Sequence, residues 1–175
     1  MPPNPDPPQA LHCVLDIEAS GFGRQSYPIE IGWAMADGRT GCLLVRPPAH
    51  WTHWDASAER VHGITRATLQ QHGREPVEVA LRMNAELGGA TVYCDAWGHD
   101  YPWLALLYDE AGLSPAFRLE PAARLFGETL LGQLDVVHKA AFTELAVTRH
   151  RASNDARALQ RALQTLESRE GRRLR

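Results

Sequence analysis

Residues 11–23 read Leu-His-Cys-Val-Leu-Asp-Ile-Glu-Ala-Ser-Gly-Phe-Gly, and the rest of the chain is arranged around them. The apolar run Cys13 to Leu15 carries directly into Asp16 and Glu18, and the turn signal Ser20-Gly21-Phe22-Gly23 ends it. In a strand, residues two apart share a face, so Asp16 and Glu18 present two carboxylates side by side. Two anions held together repel unless a divalent cation, an arginine or a shared proton lies between them. Taken alone, Asp-x-Glu reads more simply as a surface strand with two solvated acids. The elements downstream decide between the two readings.

Two further strands follow, over 29–36 and 41–46, joined by an Asp37-Gly38 hairpin signal and ended by Pro47-Pro48. Three strands with short links predict an antiparallel meander. The Trp- and His-rich segment 50–73 reads as short helical turns with Asp55 and Thr65 as N-caps, and Val61-His62-Gly63-Ile64-Thr65 as a loop between them. A helix over 76–87 has Pro76 in its first turn, an apolar stripe of Val77, Ala80, Leu81 and Leu87, and Gly88-Gly89 as its stop. A short buried strand over 91–94 comes next. From Asp100 a helix puts Trp103, Leu104, Leu107, Tyr108 and Ala111 on one face and closes at Gly112. A strand over 117–119 and helices over 121–131 and 134–145 precede the last helix. There Ala152, Ala156, Leu159, Leu163 and Leu166 form the most regular stripe in the chain. This order predicts an α/β fold, with a mixed β-sheet of antiparallel meander plus parallel strands added by crossover, flanked by helices.

At 175 residues the chain is long enough for one domain around a single core. Residues 1–9 include five prolines and read as a flexible tail, 10–167 as the domain, and 168–175 as a basic, frayed C-terminal tail. Cys13, Cys42 and Cys94 are odd in number and lack metal-ligand spacing, so they read as buried reduced thiols on strands, as in a cytosolic protein. No stretch of eighteen apolar residues and no apolar signal region is present, which implies a soluble, cytoplasmic chain without membrane association. The formal net charge of -3 lacks the basic surplus of a typical nucleic-acid binder, yet an acidic metal cluster enters that sum without its metals.

Three separated places offer acids or a histidine at an element end: Asp16 and Glu18, Asp95 and Asp100, and His150 with Asp155. Converging on one sheet edge, four of these five carboxylates need roughly two divalent cations, and two such ions about 4 Å apart are the apparatus of in-line attack on a phosphodiester. Oxygen ligands favour Mg²⁺ or Mn²⁺ over zinc. His150 and Asp155, five residues apart, lie about 140° apart around a helix. His150 is therefore placed on the loop before the last helix, with Asp155 in its first turn. An imidazole with a reference pKa of about 6.5 suits a general base near neutral pH.

Asp16-Ile17-Glu18 with its small-residue turn, His62-Gly63-Ile64-Thr65, Asp100 before a helix, and His150-Arg151-Ala152-Ser153-Asn154-Asp155-Ala156 together resemble the DEDDh family of ribonuclease H-like 3′-to-5′ exonucleases. Proofreading exonucleases, ribonuclease T and oligoribonuclease belong to that family. The resemblance spans about 11–166. It implies a ribonuclease H-like fold and a magnesium-dependent hydrolase with a two-metal mechanism, in which Mn²⁺ can substitute. By position it makes Asp16, Glu18, Asp100 and Asp155 the metal set, with Asp16 bridging both ions, and His150 the general base. It also implies that Ala19, Ser20, Gly21 and Phe22 line the terminal nucleotide, and that His62, Gly63 and Ile64 pack near its sugar or base. Where the family commonly reads His-Asn-x-x-Phe-Asp, this chain has Asp95-Ala96-Trp97-Gly98-His99-Asp100, so the usual Asn is Ala96 and the usual Phe is His99.

The implied substrate is a single-stranded DNA or RNA 3′ end. Trp51, Trp54, Trp97 and Trp103 are candidates to stack on a base, and Trp97, in the loop before Asp100, is the best of them. His62 either touches substrate or fixes its loop, and Arg151 and Arg157 either contact phosphate or are surface residues. His12, His50, His53, His72, His99 and His138 read as structural or solvated. A homodimer stays open, and the short stretch after the last helix gives no indication of polymerase association. RNA trimming, a non-catalytic nucleic-acid-binding module on the same fold, and phosphodiester hydrolysis of small nucleotides stand as alternatives.

Overall fold

The computed structural model describes residues 11–173; the expected tail over 1–9 lies outside them. Its five strands are β1 (Cys13–Ala19), β2 (Pro28–Ala34), β3 (Thr40–Leu44), β4 (Thr91–Cys94) and β5 (Arg118–Pro121). They form one sheet in the order β3-β2-β1-β4-β5. β1, β2 and β3 pair antiparallel, whereas β4 pairs parallel to β1 and β5 parallel to β4. This is the mixed sheet expected from the sequence. The helices are α1 (Ala56–His62), α2 (Arg66–His72), α3 (Pro76–Leu87), α4 (Trp97–Ala111), α5 (Glu128–Leu145) and α6 (Ala152–Arg173).

Strand alternation sorts the core into two layers. Leu15 and Ile17 of β1 and Ile29, Ile31 and Trp33 of β2 pack on one face with Val79 and Met83 of α3 and Leu104 and Leu107 of α4. On the other face, Val14 and Ala34 pack with Ala156, Leu159, Leu163 and Leu166 of α6 and Leu134 and Val137 of α5. Each of the three α6 leucines is fully buried and contributes about 2 kcal/mol of burial. Asp16 and Glu18 follow Val14 at two-residue steps, so they belong to the α6 face. In register, Val14, Asp16 and Glu18 stand opposite Ala34, Gly32 and Glu30, and cross-strand partners share a face.

Asp55 and Thr65 cap α1 and α2 as expected, each accepting a first-turn amide on its side chain. Several expectations are corrected. In α3 the buried row is Pro76, Val79, Ala80, Met83 and Leu87, while Val77 and Leu81 are exposed. Two apolar rows run along that helix, and the position of the sheet chooses between them. α4 begins at Trp97, three residues early, because the amides of His99 and Asp100 both donate to Ala96 O. Asp100 thus lies inside the first turn and Trp97 starts the helix. Residues 121–131 do not form a helix of their own: Pro121 ends β5, Ala122–Leu125 is one 3-10 turn, and α5 then runs unbroken from Glu128 through Gly132 because its inner face is covered by α6. α6 continues past Glu167 to Arg173 where a frayed tail was expected. Of the thiols, only Cys94 is buried; Cys13 is half-buried and Cys42 exposed on the edge strand β3. Among the described residues no helix is long and apolar enough to cross a membrane.

Candidate active site

The first turn of α6 is seated on the sheet beside the β1 carboxylates by two features of β2. Gly32 leaves space: a Cβ there would meet Ala152 C and Ser153 N at 2.2 Å. Glu30, fully buried, draws the helix start down, accepting the Ala152 amide at 2.8 Å and the Arg151 guanidinium at 2.6 Å. Asp155, one turn into α6, is thereby carried to β1. Ligand oxygens of Asp16, Glu18 and Asp155 all lie within 4.8 Å of one another. The second oxygen function of Asp155 is local, since Oδ2 accepts the Arg151 amide at 3.0 Å.

Asp100 reaches the same cleft from α4. It is buried, and its Oδ2 has no hydrogen-bond partner. Burial pushes the Asp16 carboxyl well above its usual range, and Asp100, Asp155, Glu18 and Asp95 push it further the same way. Burial followed by Asp155 and Glu30 raises Glu18 to about 7, against a smaller opposing pull from Arg151. Asp100 is raised by burial and by Asp95. Asp155 is raised by burial, partly offset by the Arg151 amide and by His150 and His138. Arg151, the cation that acts on Glu18, is held by Glu30. A buried carboxylate oxygen without a partner and a cluster of mutually repelling acids are costly unless a cation joins them. The residues present therefore fit a divalent cation, and their all-oxygen donor set suits a hard one.

His150 stands just before α6 at φ +63, a left-handed conformation unusual for a residue with a Cβ. It lines the same cleft of about 390 Å³ as Asp16, Glu18, Asp100 and Asp155. The structure thus brings together all five residues singled out as the chemical set.

The lining residues divide. Ala19, Gly21, Phe22 and His62 face the cleft. Ser20 does not: it is fully buried, its hydroxyl accepting the Tyr27 amide at 3.2 Å and lying 3.4 Å from His53 Nδ1. Gly63 is the left-handed C-cap of α1, and Ile64 is buried in the core, so neither lines the cleft. His62 does both things proposed for it: Nδ1 accepts the Ile64 amide at 3.0 Å, while the ring borders the cleft. Trp97 lies outside the lining, stacked on Tyr101 with ring centroids 4.9 Å apart, both rings exposed. Instead, His99 and Trp103, stacked at 5.6 Å, form the aromatic wall with Phe22 at their edge. Arg157 borders a different groove, with Leu11 and Arg161.

Sequence reading missed Glu30, Gly32 and the α5 wall of the cleft, where His138 and Phe142 stand. A buried strand reading Ile-Glu-Ile-Gly was the one available signal for the first two, since a charged residue and a glycine inside a central strand both call for a close partner.

Solved structures of exonuclease I share this ribonuclease H-like fold. The chain is similar to E. coli exonuclease I in complex with a dA16 oligonucleotide (TM-score 0.71, 12% identity, 95% of this chain and 42% of that one). It is also similar to the zinc-bound E. coli exonuclease I–ssDNA complex (0.67, 13%, 94% and 42%). A third similar structure is a moderately thermophilic exonuclease I from Methylocaldum szegediense (0.65, 14%, 93% and 41%). The chain thus spans less than half the length of these proteins, and at such identities the likeness is one of fold. No protein-family model and no curated protein matches the sequence.

Proposed function

We propose that the chain is a DEDDh-type 3′-to-5′ exonuclease, hydrolysing phosphodiester bonds at single-stranded DNA or RNA 3′ ends with a domain spanning 10–167. The observation that carries this reading is the meeting of Asp16, Glu18 and Asp155 within 4.8 Å. Asp100 and His150 border the same cleft, and the similar exonuclease I structures include complexes with single-stranded oligonucleotides.

Asp16, Glu18, Asp155 and Asp100 would hold two Mg²⁺ ions, for which Mn²⁺ can substitute. The chemistry such ions supply is charge neutralisation at the phosphate and activation of water. His150, which lines the same cleft, takes the proton from the attacking water. Phe22, His99 and Trp103 offer apolar ring faces to the terminal base, worth about 1–3 kcal/mol per stacked base. We place the enzyme in the cytoplasm.

The test is 5′-labelled single-stranded DNA and RNA incubated side by side with and without Mg²⁺. A ladder of shortened products with Mg²⁺ only, absent for Asp16→Ala, is the expected result. No shortening of either strand, or equal shortening by Asp16→Ala, overturns the reading in favour of a binding module.

A further inference from the structure

Asp95 and His138 have no part in the chemistry above, yet they are joined at the cleft. Asp95, just past β4, lies with Oδ2 3.1 Å from Nδ1 of His138 on α5. Both residues border the cleft. The His138 ring is mostly buried, and its Nε2 has no hydrogen-bond partner. One turn further along α5, the Phe142 ring stacks on His138, with centroids 5.2 Å apart and planes inclined by 28°. Over Phe142 lies the guanidinium of Arg149, 5.3 Å from the ring centroid. Arg149 is the residue before His150. These contacts make an unbroken series from the end of a central strand to the loop that carries the left-handed histidine.

That loop needs such support. Residues 146–151 connect α5 to α6, and both Ala146 and His150 adopt positive φ without being glycine. His150 itself is exposed, so little packing on its own side chain fixes the ring. A cation over an aromatic face and a stacked ring pair restrain direction as well as distance. The anchor is rigid because Asp95 follows β4, which is paired on both edges.

We propose that Asp95, His138, Phe142 and Arg149 form a positioning relay that fixes His150 over the metal-site carboxylates. His138, Phe142 and Arg149 are positioning residues, acting through His150 and not on the phosphate. The inference rests on His150 serving as the base in the proposed function.

The experiment measures kcat and KM on labelled single-stranded DNA with Mg²⁺ for Phe142→Leu and Arg149→Ala, in both the parent and His150→Ala chains. A misplaced base lowers kcat by about 10- to 100-fold, with KM within about twofold. Phe142→Tyr and Arg149→Lys, which keep ring and cation, retain the parent rate. In the His150→Ala background neither Phe142→Leu nor Arg149→Ala costs anything further, because the group they position is gone. An equal fold-loss in both backgrounds, or a change confined to KM, overturns the relay and marks a folding or phosphate-binding role. Arg149 is exposed, so Arg149→Ala keeps the test open where Phe142→Leu disturbs packing. A His150→Ala chain as fast as the parent overturns the base assignment, a distinct failure from that of the relay.

Discussion

Arg151 grips Glu30 through Nη2 to Oε1 at 2.6 Å and Nε to both carboxylate oxygens at 3.1 and 3.2 Å, across 121 residues of sequence. The two partners are unequal, for Glu30 is buried while the Arg151 side chain is half exposed. Removing Arg151 leaves a charge buried and unpaired, whereas removing Glu30 releases a guanidinium to water. Arg151→Ala is therefore expected to cost about 2–3 kcal/mol of stability, and Glu30→Gln less. Urea unfolding of the two variants checks the order; equal losses would count against the asymmetry.

Gly32 is where α6 touches the sheet. Gly32→Ala forces the α6 start outward against backbone atoms 2.2 Å from the new Cβ, at a cost of about 1–3 kcal/mol. Because Asp155 rides on that turn, nuclease activity should fall more steeply than stability. Melting temperature and exonuclease rate measured on the same preparation separate the two effects.

Burial raises the pKa of Asp16, and the four other carboxylates around it raise it further. Asp16→Asn stays neutral at that buried position without having to bind a proton, so the metal-free protein should gain stability on the order of 1–2 kcal/mol while losing activity. Thermal melts in chelator and activity assays in Mg²⁺ provide the two readings. A variant that is inactive and also less stable would show that repulsion is not stored at this site.

The folded chain holds protons on Asp16, Glu18, Asp100 and Asp155 that the unfolded chain has released above about pH 4. More protons bound in the folded state means that stability falls as pH rises. That contribution is complete below the unfolded values and is lost as pH climbs through the raised ones, about 7 for Glu18. Metal-free protein should thus melt lower at pH 8 than at pH 5.5. Divalent cations need the ionised acids, so the rise in melting temperature with Mg²⁺ should be larger at pH 8, about 5–10 °C at a hundred times the dissociation constant.

The left-handed backbone at His150 allows a clean separation of chemistry from folding. Asn tolerates φ +63 better than other non-glycine residues. His150→Asn should keep its melting temperature while activity drops about 10²- to 10⁴-fold. A rate within a few-fold of the parent would remove His150 from the reaction.

Much of this was legible in one dimension. The shared face of Asp16 and Glu18, the Asp37-Gly38 hairpin, the caps at Asp55 and Thr65, and the α6 stripe from Ala152 to Leu166 are local patterns. Each is fixed by strand or helix periodicity or by one nearby hydrogen bond. The same locality explains the errors: the apolar rows of α3 were indistinguishable until a sheet lay against one of them, and helices over 121–131 and 134–145 read as separate until α5 packed under α6 as one element.

By itself, then, the sequence determined the strands, most of the helices and their order, and it pointed to the five residues Asp16, Glu18, Asp100, His150 and Asp155 of the proposed chemistry. Only the tertiary structure decided how they meet. The cross-strand register placed Gly32 and Glu30 beside Asp16 and Glu18, α6 settled into the space Gly32 leaves, and Asp95 found His138. Contacts between residues a hundred positions apart depend on packing and register, which no local pattern encodes.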